Sequence, residues 1–124
     1  MVRRNNLEHT EQSRFFAILR RLKHPAAEWT FAIPNGFLLD KGLRIKAWRE
    51  GMTAGVWDVF VPWPAQGHHG LWIEFKSPKG TLSPTQVQFH NSMAPRGYKL
   101  TVCRSYRDAL REFCEYVGIP YGKQ

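Results

Sequence analysis

Apolar residues Leu7, Phe15, Ile18, Leu19 and Leu22 recur at helical spacing and predict an amphipathic helix over residues 7–23. At about 100° per residue, Glu8 and Glu11 fall inside its apolar arc. Acids near a helix N-terminus complement the helix dipole; the other reading turns one of them inward to a site. His24-Pro25 ends the helix, because the residue before proline disfavours helical geometry. Residues 29–33, Trp-Thr-Phe-Ala-Ile, then read as a strand stopped by the Pro34-Asn35-Gly36 turn. Residues 37–56 carry Lys41, Arg44, Lys46 and Arg49 among glycines without a long periodic pattern, so a surface loop or hairpin is expected.

The second half is more regular. A short apolar strand spans 58–61 and a second spans 71–76, Leu-Trp-Ile-Glu-Phe-Lys. Ser83-Pro84-Thr85-Gln86 forms a capping box that opens a helix running to about residue 93. Residues 98–103 read as a strand. Ser105 caps a last helix with Asp108 in its first turn and Ala109, Leu110, Phe113 and Val117 on its buried face. The order is helix, three strands, helix, strand, helix, expected as one domain over 1–124 with a basic arm at 1–6 and a tail at 118–124.

Within this pattern the 71–76 strand is anomalous. Four of its six residues are large and apolar, which suits the interior of a sheet, yet Glu74 and Lys76 project from one face two positions apart. Unpaired buried charge is expensive, so the two must be satisfied by each other, by water or by a ligand. Asp58 stands at the head of the 58–61 strand. If the strands are neighbours, Asp58 and Glu74 converge on one hard cation with Lys76 beside it. Oxygen ligands favour Mg²⁺ or Mn²⁺ over zinc. Such a set fits phosphodiester hydrolysis, in which a cation neutralises developing charge while a neighbouring group orients or deprotonates water. The plainer reading of Glu74 and Lys76 is an ion pair.

Composition narrows the partners. Lys and Arg number 18 against 10 Asp and Glu, a formal charge of +8 that favours a polyanion such as nucleic acid. Lys41, Arg44, Lys46, Arg49 and Lys79 are the candidates for backbone contacts. Cys103 and Cys114 are too few for a disulfide framework or a four-cysteine zinc site, and Gly67-His68-His69-Gly70 brings no third ligand nearby. No apolar run approaches the ~20 residues of a spanning helix, so a cytoplasmic protein without a membrane partner is expected.

The Asp followed by Glu-x-Lys resembles the PD-(D/E)xK nuclease superfamily. More narrowly, the chain resembles the VRR-NUC family, the small nuclease domain found alone in phages and bacteria and fused to the eukaryotic Fanconi-associated nuclease. The matching pieces are Glu8-x-x-x-Gln12, Pro34-Asn35-Gly36, Gly51-x-x-x-Gly55-x-x-Asp58, Ile73-Glu74-Phe75-Lys76-Ser77, Lys79-Gly80-x-Leu82-Ser83-x-x-Gln86 and Gly97-Tyr98, in order across residues 7–110. Trp57 stands where family members usually carry proline before the aspartate.

The resemblance implies an α/β fold with a restriction-endonuclease-like core, αβββαβ in order, its central mixed sheet flanked by helices. It makes Asp58 and Glu74 direct ligands of Mg²⁺, with Mn²⁺ able to substitute, helped by the backbone carbonyl of Phe75. Lys76 becomes the catalytic lysine. Glu8 approaches the metal through water, with Glu11 as its rival, and Gln86 assists from the second helix. Stand-alone members resemble junction resolvases, which implies a homodimer acting on branched or four-way (Holliday) DNA junctions. The alternatives are a nuclease or nickase acting on ordinary duplex or flap DNA, and a non-catalytic basic DNA-binding module.

Overall fold

The structure, a computed structural model, describes residues 6–34 and 40–122. Along the chain run α1 (Asn6–Leu19), α2 (Pro25–Trp29), β1 (Phe31–Ala32), α3 (Lys41–Arg49), β2 (Val59–Val61), β3 (Leu71–Phe75), α4 (Pro84–Met93), β4 (Lys99–Cys103) and α5 (Tyr106–Val117). The four strands form one mixed sheet in the order β1-β2-β3-β4. β1, β2 and β3 are antiparallel neighbours, and β4 lies parallel to β3 after the α4 crossover.

β3 sits inside the sheet because both of its faces are covered. Leu71, Ile73 and Phe75 are fully buried in the core with Phe15, Leu19, Leu110 and Phe113 of α1 and α5, and the Phe15 ring lies 5.8 Å from that of Phe75. The alternate residues face α4. Trp72 stacks on Phe60 at 4.3 Å and meets Phe89 edge-on at 5.0 Å, so Glu74 and Lys76, next on that face, emerge between β3 and α4. This matches the expected α/β architecture of a mixed sheet with helices on either side.

The first half of the chain departs from expectation. α1 stops at Leu19 instead of reaching residue 23, since Arg21 and Leu22 donate to carbonyls only three residues back. Pro25, expected to end the first helix, instead starts the second, since α1 has already stopped at Leu19. His24 caps α2, its Nδ1 accepting from the Ala26 N–H at 3.0 Å, and proline fits the first turn. The strand expected over 29–33 therefore shrinks to the two residues of β1, with Trp29 in α2 and the Thr30 hydroxyl closing on the Ala26 carbonyl. The loop or hairpin expected over 37–56 holds α3. Asp40 is the signal that was missed, its carboxylate accepting from the Leu43 N–H at 2.8 Å as an N-cap. Asn35 and Gly36 of the Pro34-Asn35-Gly36 turn lie outside the described residues.

The second half follows its pattern closely. The Ser83–Gln86 capping box is present in both directions, and Ser105 caps α5 through the Asp108 N–H. Beyond Gly118 the tail packs Ile119 and Tyr121 against the core. Cys103 and Cys114 are free and buried, and burial pushes the Cys103 thiol up to about 12. Among the described residues no helix is long and apolar enough to cross a membrane.

The segment between α3 and β2 is pressed against α4. Gly55 has φ +89°, and a Cβ there would meet the Thr85 carbonyl oxygen at 2.5 Å. Only glycine permits both that backbone conformation and that approach. Gly55→Ala is expected to lower stability by about 2 kcal/mol through strained φ and displaced backbone; urea unfolding checks it, and an unchanged midpoint would refute the packing described.

Candidate active site

The antiparallel register sets Val59 opposite Ile73, and one step toward the end of the ladder brings Asp58 beside Glu74 and Phe75. The two acids hold each other in place through backbone. The Asp58 N–H donates to Glu74 Oε1 at 3.1 Å, and the Phe75 N–H donates to Asp58 Oδ2 at 2.9 Å. In an extended residue N–H and C=O lie on one strand edge, so the Phe75 carbonyl is on the same side as Asp58. The strands fix both carboxylates before any ligand arrives.

Glu74 is 3% exposed. Its Oε2 accepts from Gln86 Nε2 at 2.8 Å and lies 3.4 Å from the Lys76 ammonium. Gln86 can reach it because the capping box has already aimed its side chain. Oε1 of Gln86 accepts from the Ser83 N–H at 2.9 Å, which leaves the amide nitrogen for the acid. One residue thus closes the helix end and positions Glu74.

Burial, and after it the Asp58 carboxylate, push Glu74 up from the usual carboxylate range to about 8, against the opposing pull of Lys76 and the Asp58 N–H. Two acids forced together in a dry setting disfavour double ionisation. A divalent cation would reverse that balance. The donor set fits one, because Mg²⁺ is commonly bound by one or two carboxylates and keeps several waters. Among the described residues no group of three or more His, Cys, Asp and Glu converges. The oxygens available are those of Asp58, Glu74 and the Phe75 carbonyl.

Glu8, preferred for its spacing to Gln12, and its rival Glu11 part ways in space. Glu8 Oε2 accepts from the Ser77 N–H at 3.1 Å, next to Lys76 at the end of β3. Glu11 Oε1 accepts from the Tyr106 N–H at 2.9 Å, and its other oxygen pairs with Arg14 at 3.5 Å. Glu8 is therefore at the edge of the site and Glu11 ties α1 to α5. Lys41, Arg44, Lys46 and Arg49 lie exposed on α3, and Lys79 is exposed in the turn after β3.

Two residues that sequence reasoning had not placed support the site. Trp57 is 1% exposed, its indole N–H donates to the Gln86 carbonyl at 3.0 Å, and its ring stacks on His90. It carries Asp58 on one side and grips α4 on the other. Arg104 staples the turn after β3, one of its nitrogens donating to the Ser77 and Gly80 carbonyls at 2.7 Å each. Trp57 was visible as a departure from proline; no local signal marks Arg104.

The model of the VRR-NUC domain matches residues 40–107, a span that holds α3, both acids, Lys76 and Gln86. A solved structure described as a "VRR_NUC domain protein" superposes with a TM-score of 0.78 at 21% sequence identity, covering 94% of this chain and 93% of that one. No curated protein matches. The superposition identifies the fold, and the sheet and helices above are restriction-endonuclease-like.

The double duty of Gln86 can be separated from simple capping. Ser83→Ala removes the cap hydroxyl without touching Glu74 and is expected to cost about 1 kcal/mol. Gln86→Ala also strips a donor from a buried carboxylate and is expected to cost about 2 kcal/mol or more. Equal losses in urea unfolding of the chelated protein would reduce Gln86 to a capping residue.

Proposed function

The chain belongs to the VRR-NUC family, and from that premise we propose that it is a divalent-metal-dependent, structure-selective DNA endonuclease that resolves four-way junctions as a homodimer. The family makes it a nuclease with DNA as substrate; the metal, the branched substrate and the dimer are the proposed steps. The interlock of Asp58 and Glu74 around a buried, cation-seeking position with Lys76 at its rim carries the reading.

Asp58, Glu74 and the Phe75 carbonyl would hold Mg²⁺, with Mn²⁺ able to replace it. The ion, when bound, supplies charge neutralisation at the phosphodiester and a lowered pKa for water. Lys76 lies 3.4 Å from Glu74, and its ammonium would orient water against the scissile phosphate. Gln86 keeps the Glu74 carboxylate from rotating out of line. Glu8, anchored beside Lys76 on the Ser77 amide, would add an oxygen to the site through water. The basic residues of α3 and Lys79 would contact the DNA backbone. Such contacts recognise shape and charge rather than base sequence.

Symmetry supports the dimer. Resolving a four-way junction takes two cuts related by a two-fold axis, and each chain offers one pair of acids. β1 is a two-residue edge strand in which Phe31 is 47% exposed, and Trp29 shortly before it is 65% exposed. Unpaired edges and exposed aromatics are surfaces that a second copy can cover.

With Mg²⁺ or Mn²⁺, the protein is expected to cut a synthetic four-way junction in preference to linear duplex and flap DNA assayed alongside. Asp58→Asn keeps an acceptor for the Phe75 N–H while removing the charge, and Lys76→Ala removes the ammonium. Each is expected to cut at least about 100-fold more slowly. Undiminished cutting by both would dismantle the assigned site, and equal rates on duplex and junction would favour a general nuclease. A product absent at every enzyme concentration, with salt-dependent binding intact, would leave a DNA-binding module.

Light scattering is expected to give about twice the 14.4 kDa chain mass. Paired Trp29→Asp and Phe31→Asp substitutions should return the monomer. A monomeric native protein would overturn the dimer, and a variant that stays dimeric would move the interface elsewhere.

A further inference from the structure

α3 has no buried residue, although it carries Leu43, Ile45 and Trp48 at 51%, 46% and 71% exposure. Trp48 is the most exposed large apolar side chain among the described residues. Leaving an indole in water forfeits the stability its burial would bring, so its position needs a reason. At about 100° per residue, Arg44, Trp48, Lys41, Ile45 and Arg49 share one side of the helix. Ala47, half-buried, lies on the side toward the protein.

The surroundings of Trp48 decide between partners. Among the described residues none of Lys41, Arg44 and Arg49 is in an ion pair. The one acid at the helix start, Asp40, is spent on the Leu43 N–H. Burying this face in an apolar contact would strip water from three cations with no counter-charge, which is costly. A polyanion reverses the sign, since phosphates accept the cations and a base without a pairing partner offers a flat face to the indole.

The helix is also fixed relative to the acids. Its C-terminus is closed by the Gly51 N–H on the Trp48 carbonyl at 3.0 Å and the Met52 N–H on the Ala47 carbonyl at 2.9 Å. The chain is then clamped at Gly55 against Thr85 and at Trp57 against Gln86 before it reaches Asp58. A base held by Trp48 would thus be held at a set distance from the scissile position.

We infer that Trp48 is a base-stacking residue that, with Lys41, Arg44 and Arg49, engages an unpaired or splayed base at a branch point and so sets the preference for branched over continuous DNA. The inference rests on the nuclease reading for its consequence in cutting, but the contact itself forms without catalysis. Binding is therefore measured in EDTA, by anisotropy of labelled oligonucleotides, for a junction or gapped DNA and for a continuous duplex of equal length. Trp48→Ala is expected to weaken binding of the branched DNA about tenfold and leave duplex binding unchanged, and Trp48→Phe to recover most of the loss. With Mg²⁺, Trp48→Ala should raise KM on the branched substrate with kcat retained.

Equal effects of Trp48→Ala on both DNAs, or none on either, would overturn the stacking role. So would a fall in molar mass by light scattering that accompanies the loss, because Trp48 would then be a contact between copies. If native protein cuts no DNA while Trp48→Ala still separates the two ligands, the nuclease reading fails and the stacking site stands. If cutting follows Asp58 and Lys76 but ignores Trp48, the reverse holds.

Discussion

A carboxylate with almost no solvent stands in the middle of the sheet, and the surrounding elements are arranged by what Glu74 requires. Isolated, such a charge would be too costly to bury. Here it is surrounded by the Asp58 amide, the Gln86 side chain and the Lys76 ammonium. Each donor comes from a different part of the backbone, so the group is satisfied only when β2, β3 and α4 are all assembled. The second acid, Asp58, is set beside it in spite of the repulsion. Stability alone gives no reason for that pairing, since hydrogen-bonding Glu74 did not need another carboxylate. Its cost adds to that of burial in the upward push on Glu74.

α4 is the element through which structure and chemistry are joined. Its first turn contributes the capping box, its Gln86 amide meets Glu74, its Gln86 carbonyl receives the Trp57 indole, and its Thr85 backbone receives Gly55. The approach to Asp58 is thus referenced to the same turn that orients Glu74. Where other family members use proline to stiffen the residue before the aspartate, a buried tryptophan bonded across to a helix can serve the same end. Ring stiffness in φ is replaced by a side chain with little freedom left.

The sequence was legible wherever local signals agreed with one another. Capping box, helix period and apolar strands all pointed the same way from Asp58 onward, and the elements from β2 to α5 follow in that order. Asp58, Glu74 and Lys76 stood out because charge on an otherwise apolar strand is conspicuous, and the structure brings the three together. The misreadings lie where one residue type admits two geometries. Pro25 disfavours helix in the residue before it but also fits a first turn, which is its place here; glycines and a missing period make 37–56 read as a loop, while Asp40 caps a helix there. Glu8 and Glu11 could not be told apart by helical phase, because what separates them is the β3 end in one case and the α5 start in the other, partners 69 and 95 residues away. Arg104 escaped for the same reason, its three carbonyl partners belonging to a turn 24 or more residues earlier.

Chemistry and recognition are built with opposite economies in this chain. The acids and lysine lie at strand ends, held by pairing, hydrogen bonds and the capped first turn of α4. α3 is tied down at its C-terminal end and presents cations and an indole to solvent. Inserting such a helix between β1 and β2 costs the core nothing, because none of its residues is buried there. The insertion point still matters. Entering the chain a few residues before Asp58, α3 is joined to the segment held at Gly55 and Trp57 that delivers the first acid.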